Sequence, residues 1–191
     1  DTFIVGSSNK FAHAACLSVA ENPSGIYNPL FIYGGSGLGK THLLYAIEKK
    51  IKEKFPDYKI LYVKSEDFTN ELIEALAMKA PVQFREKYRN ADYLLVDDIQ
   101  FMGGKDQMQV QFVNTFNHLR DSQKQIVITS DRPPRDIASL DDRIKNRFES
   151  GVLAQIDMPE FETRARIISA VEMLFAKISG NPAKKHSKLP F

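Results

Sequence analysis

Residues 30–44, LFIYGGSGLGKTHLL, run from an apolar stretch through four glycines to Lys40 and Thr41, then into a second apolar stretch. Gly34, Gly39, Lys40 and Thr41 satisfy the pattern G-x-x-x-x-G-K-[ST]. The β-branched and aromatic run before it reads as a buried strand, and the spacing after it reads as a helix. In that context the backbone N–H groups of Gly35, Ser36, Gly37, Leu38 and Gly39 curl around an anion at a helix N-terminus. Lys40 then reaches the β- and γ-phosphates of a nucleotide, and the Thr41 hydroxyl meets Mg²⁺. His42 follows directly and is counted with the nucleotide-binding residues. The expected cofactors are therefore a nucleoside triphosphate or diphosphate with Mg²⁺.

Four more short apolar runs, KILYVK, YLLVDDI, QIVITS and VLAQID, have the same character. Between them lie KTHLLYAIEKKIKEKF, SEDFTNELIEALA, VQFREKYR and QMQVQFVNTFNHLRD, each with helical spacing. Strands alternating with helices predict an α/β fold: a five-stranded parallel sheet flanked by helices, in a P-loop NTPase. The chain has 191 residues, 43% hydrophobic and 26% charged, which suits one globular α/β domain and excludes a disordered chain. No apolar run approaches the roughly 20 residues that span a bilayer, and the N-terminus lacks the pattern of a signal peptide. With one cysteine, Cys16, and no disulfide partner for it, a reducing, cytoplasmic location is expected. The first residue is not methionine, which suits a domain of a longer protein. A net charge of +2 does not by itself select nucleic acid as a partner.

Two further strand ends carry chemistry. LLVDDIQ closes on Asp97 and Asp98, where a parallel sheet presents its ligand edge. Asp97 is expected in the Mg²⁺ shell, and Asp98 to orient or polarise an attacking water. IVITSDRPP puts Ser130 and Asp131 at the same edge. Asp131 either senses the γ-phosphate, through a water or Lys40, or merely caps the DRPP turn. In SLDDRIKNRFESG a helix is expected to begin near Asp141, with an Asp141–Lys145 pair along it. Arg143 and Arg147, also four apart, put like charges on one face, and no acid within the helix obviously serves both. An anion on a neighbouring subunit, such as a bound nucleotide's phosphate, would suit them. Two solvated surface arginines are the plainer reading.

With these residues in view, the chain resembles the AAA+ ATPase domains of the DnaA family of bacterial chromosomal replication initiators. The resemblance spans about residues 1–168 and rests on FIVGSSNKFAHAA, YNPLFIYGGSGLGKTHLL, FTNELIEAL, FREKYRNADYLLVDDIQF, FNHL, QIVITSDRPP, DRIKNRFESG and ETR, in the family's order. It implies that GGSGLGKT is the Walker A loop, LLVDDIQ Walker B, and Asp131 the first sensor. It makes Arg147 an arginine finger and Arg143 its helper in ATP-dependent assembly, with Val5, Gly6 and Asn9 bordering the adenine. Residues 65–90 become the extra helices that steer subunits into a filament, which opens origin DNA and holds one strand. Lys79, Arg85, Lys87 and Arg89 are candidate phosphate contacts in that role. Gln107 stands where the family often has a basic or small residue.

The resemblance implies a nucleotide-binding core over 1–159 and the start of a helical lid over 160–178, while the glycine, prolines and cationic residues of SGNPAKKHSKLPF make 179–191 a linker or frayed tail. A second sensor in the rest of the lid and a duplex-reading C-terminal domain are expected outside the chain. Replication regulators or helicase machinery are expected partners, besides the chain itself. The alternatives are an AAA+ helicase loader or related regulator, and, less well matched, a P-loop kinase. His13 and His118 have no metal-site spacing and are read as packing residues.

Overall fold

A computed structural model of the chain describes residues 3–102 and 106–179. The C-terminal part of the expected tail and the MGGK break lie largely outside the described residues. The element order is α1 (Lys10–Glu21), β1 (Leu30–Tyr33), α2 (Lys40–Lys54), β2 (Ile60–Lys64), α3 (Ser65–Ala77), α4 (Pro81–Arg89), β3 (Tyr93–Asp97), α5 (Asp106–Asp121), β4 (Gln125–Ser130), α6 (Asp142–Glu149), β5 (Val152–Gln155) and α7 (Phe161–Ser179). The five strands form one wholly parallel sheet in the order β2-β3-β4-β1-β5. All five match the apolar runs picked out in the sequence.

The strands read as unbroken apolar runs because both faces of the sheet are covered. Alternate side chains go to opposite faces. Leu30, Ile32, Leu95 and Val127 pack under α1 and α2, against Ala12, Cys16, Val19, Leu43, Leu44 and Ile47. Phe31, Leu94, Val96, Ile126 and Ile128 pack on the other side against Phe68, Phe84, Tyr88, Phe112, Phe116 and Phe148, from α3 to α6. The result is a three-layer sandwich. Central strands β3 and β4 are buried along their length, whereas edge strands β2 and β5 are partly exposed.

The strand order decides where the chemistry lies. β1, β4 and β3 are neighbours, so three segments leave the same sheet edge side by side: the glycine loop after Tyr33, Asp97 and Asp98 after Val96, and Asp131 after Ser130. Helix α6 begins at Asp142 with Asp141 as its N-cap, the Asp141 carboxylate accepting from the Arg143 backbone N–H. The expected Asp141–Lys145 pair does not form. Asp141 instead takes the Arg143 guanidinium, at 3.0 Å, and Lys145 reaches Asp142 at 3.6 Å. An N-cap carboxylate lies close to the first turn, so a long side chain two residues on can fold back to it.

Candidate functional site

The glycine loop has its conformation for steric reasons. Gly39, the N-cap of α2, has φ +90°, in the left-handed region that side chains avoid. At Gly34 a Cβ would lie 2.2 Å from the Ile156 carbonyl oxygen, so the loop can pass β5 only without one. Lys40, at the start of α2, is 7% exposed and donates from Nζ to the carbonyl oxygens of Gly34 and Gly35, at 2.7 and 2.8 Å. Its charge is thus held against the loop's own backbone.

Asp97, the last residue of β3, is fully buried and surrounded by hydroxyl donors. Thr41 Oγ1 donates to its Oδ2 at 2.8 Å, the Tyr62 hydroxyl to the same oxygen at 2.9 Å, and Thr129 Oγ1 to Oδ1. Burial pushes the Tyr62 hydroxyl well above the ordinary tyrosine range, and the neighbouring Tyr45 and Asp97 add to this, so it stays a donor. Thr129 also accepts from the Asp98 backbone N–H at 3.0 Å, while Ser65 Oγ donates to the Asp98 carbonyl at 2.6 Å. These contacts hold Asp98 in a left-handed conformation, φ +55° and ψ +53°, uncommon for a residue with a side chain. The Asp98 carboxylate accepts from Gln100 Nε2 at 3.1 Å, and Gln100 Oε1 accepts in turn from the Asp131 N–H at 3.3 Å.

Asp131 is paired with the next residue, Arg132, through two hydrogen bonds of 2.8 Å. That guanidinium holds the Asp131 carboxyl below its usual range, against some burial, and the charge of Lys40 lowers it further.

Beside the loop lies a cavity of about 570 Å³. Its walls include Phe3, Ile4, Ser8 and Asn9 before α1, then Gly37, Leu38, Gly39 and His42, with Ile156 and Asp157 after β5 and Ile167, Val171 and Leu174 on α7. Asn9 is buried and orders the segment before it: its Oδ1 accepts from the Gly6 N–H at 2.9 Å, and its Nδ2 donates to the Ile4 carbonyl at 3.0 Å. Gly6 is pressed against Thr163, where a Cβ would meet Oγ1 at 2.2 Å. Val5 and Gly6 are not among the residues that line the cavity, and the Val5 carbonyl accepts from Arg166 at 3.2 Å. Ser8 Oγ is buried with no hydrogen-bond partner among the described residues, an orphan that a polar ligand in the cavity would satisfy. The cavity is apolar with a few polar groups, and its size suits a nucleoside.

Among the described residues no cluster of three or more His, Cys, Asp or Glu side chains could hold a metal ion. The donor set at the loop is of another kind. The Asp97 carboxylate and Thr41 hydroxyl are hard oxygen donors already 2.8 Å apart, which fits Mg²⁺ beside a nucleotide's own phosphate oxygens.

Arg143 and Arg147 lie elsewhere. Arg147 is in the last turn of α6, just before Val152, which pairs with Leu30, the first residue of β1. That is the N-terminal edge of the sheet, whereas the glycine loop follows the C-terminal end of the same strand. The four residues of β1 separate the two edges by roughly 10 Å. Arg147 Nε donates to Asn117 Oδ1 at 2.7 Å. Gln107 is exposed on α5, Lys87 is paired with Glu71 at 2.7 Å, and His42 lies on the cavity wall.

Sequence reasoning missed Tyr62, Thr129 and Ser8. The first two were detectable as hydroxyls inside apolar strands, where a buried donor must find a partner. Phe3 and the α7 face gave no comparable signal, because a cavity wall of apolar residues looks like core.

Comparison with known proteins places this geometry in a family. The model of the bacterial DnaA ATPase domain matches residues 1–155. A chromosomal replication initiator protein DnaA from Lachnoclostridium phytofermentans is 56% identical over 176 residues, 91% of this chain and 39% of that protein. The chain therefore spans about two fifths of that relative's length. The crystal structure of domain III of the Thermotoga maritima replication initiation protein DnaA superposes with a TM-score of 0.87 at 42% identity, covering 96% of this chain and 75% of that one. A replication initiator DnaA bound to AMPPCP and single-stranded DNA gives 0.85 at 37% identity, covering 96% and 55%. With an all-parallel sheet, a phosphate loop and paired aspartates at the same edge, the chain belongs to the family of bacterial DnaA ATPase domains.

Proposed function

We propose that this chain is the ATP-switched assembly domain of a replication initiator. Lys40 and the loop N–H groups of Gly35–Gly39 hold the phosphates of ATP, and the adenosine enters the cavity walled by Asn9, Leu38 and His42, with Val5 and Gly6 in the segment beside it. Thr41 and Asp97 would hold Mg²⁺, which supplies charge neutralisation at the phosphates when bound. Asp98 orients a water toward the γ-phosphorus; the new P–O bond forms as the bond to the β-phosphate oxygen breaks, leaving ADP and phosphate. Asp131 and Lys40 follow the γ-phosphate charge. Turnover is expected to be slow, since hydrolysis resets a switch.

The carrying observation is the separation of Lys40 and Arg147 to opposite edges of the sheet. One copy cannot bring both to one phosphate, whereas copies stacked edge to edge can, with Arg143 beside the contact. Such a filament would hold single-stranded origin DNA, with residues 65–90 guiding the subunits and Lys79, Arg85 and Arg89 near the strand. The relative bound to AMPPCP and single-stranded DNA supports this reading. Helix α7 would open the helical lid, and duplex recognition and contacts with helicase machinery or regulators belong to the remaining length of such initiators. A cytoplasmic location follows from that role. Among the described residues no helix is long and apolar enough to cross a membrane.

The test compares two variants. Lys40→Ala should abolish ATP binding, whereas Arg147→Ala should keep ATP affinity within about threefold and lose ATP-dependent growth in size on sedimentation. Equal loss of nucleotide affinity in both variants would sink the assignment of Arg147 to a neighbour's site.

A further inference from the structure

We infer that Asn117 is a positioning residue for Arg147, orienting its guanidinium toward a neighbouring copy without cancelling its charge; this rests on the reading of Arg147 given above. Three arginines on this part of the surface have carboxylate partners, whereas Arg120 and Arg147 have neutral ones. Arg132 is held by the Asp131 carboxylate, Arg135 by Glu149 and Arg143 by Asp141, each through an ion pair of 2.8 to 3.0 Å. Arg147 differs. Its Nε donates to the amide oxygen of Asn117, a neutral acceptor 30 residues away on α5, at 2.7 Å.

The chemistry of that choice is specific. A guanidinium has five N–H donors, and committing Nε leaves the four on the terminal nitrogens as the fork that grips a phosphate. A carboxylate in place of the amide would orient the group equally well but would compete with the phosphate for its charge. The seat is also rigid. Asn117 and Arg120 are three apart on α5 and so share a face. Arg120 donates to Ser150 Oγ, which donates to the Arg147 carbonyl at 2.6 Å. Below them Phe112 and Phe116 pack on Phe148 with ring centroids 6.1 and 6.2 Å apart. Arg147 is thus held at its side chain by α5 and at its carbonyl by Ser150, which Arg120 of α5 ties down in turn, and this lowers the entropy lost when it binds an anion.

The experiment uses Asn117→Leu, close in shape but without the acceptor, and Asn117→Asp, which keeps the acceptor and adds charge, in the gene product that carries this chain. Arg147→Ala is the control. Both Asn117 variants should raise the protein concentration needed for ATP-dependent assembly about tenfold or more, while ATP affinity, size with ADP and thermal midpoint stay at wild-type values. A role confined to packing α5 on α6 predicts the opposite for Asn117→Asp, wild-type assembly with equal or higher thermal stability, and that result would overturn the inference. So would wild-type assembly in Asn117→Leu. If Arg147→Ala itself assembles normally with ATP, the underlying reading fails; if it alone loses assembly, only the role of Asn117 fails.

Discussion

At the residue scale, the site depends on polar groups placed where water is excluded. Asp97 has hydroxyl partners on both carboxylate oxygens, contributed by α2, β2 and β4, so its position is set by elements far apart in the chain. The reverse case is Cys16, on the buried face of α1 in the core between that helix, α2 and the sheet. Burial pushes its thiol up to about 12, because the thiolate would lose its hydration. The neutral thiol is therefore the form present throughout the ordinary pH range. Folded protein at pH 8 should react with a thiol reagent at least about tenfold more slowly than the urea-unfolded chain, whose cysteine titrates near 8.5. Equal rates would show that the α1 layer opens readily.

At the element scale, the glycine loop combines a positive-φ requirement with a close approach, and the two can be separated. Gly37 has φ +77° with open space around its Cβ position, while a Cβ at Gly34 would strike the Ile156 backbone. Gly37→Ala should cost about 1–2 kcal/mol, the usual left-handed penalty. Gly34→Ala should cost more, since backbone must move as well, and a urea-unfolding midpoint lower than that of Gly37→Ala would show it. The reverse order would mean that the loop can swing clear of β5.

This loop was legible in the sequence because every feature of it is local: a strand, glycines at set spacing, a lysine, a helix. The same holds for the strand-end aspartates and for α6 with its N-cap. Arg143 was less legible. Its partner Asp141 was matched instead to Lys145 by helical spacing, but a cap residue stands outside the helix and follows no i, i+4 rule. Thr129 and Tyr62 were passed over because a hydroxyl in an apolar strand does not name its partner.

At the scale of the whole molecule, helix α6 and the sheet share one core. Phe148 is fully buried, against Phe31 of β1 and Phe112 and Phe116 of α5. Phe148→Ala should cost about 3–5 kcal/mol by removing a large side chain from close packing. Met78→Ala, at a residue 76% exposed, should stay within about 0.5 kcal/mol. Chemical denaturation of both variants measures the contrast, and a Phe148→Ala cost near that of Met78→Ala would show that α6 is only loosely docked.

The sequence by itself determined the α/β class, the strands, the phosphate loop and the acidic strand ends, because hydrophobic period and turn chemistry act between residues close in the chain. It also determined the family, through motifs that recur in order. Only the tertiary structure decided that β3, β4 and β1 lie side by side, so that Thr41, Asp97, Thr129 and Asp131 meet at one edge while Arg147 is carried to the other. It alone chose the amide of Asn117 over a carboxylate as the partner of Arg147. Strand order and long-range hydrogen bonds depend on how whole faces pack, and local spacing has no information about which distant segment arrives there.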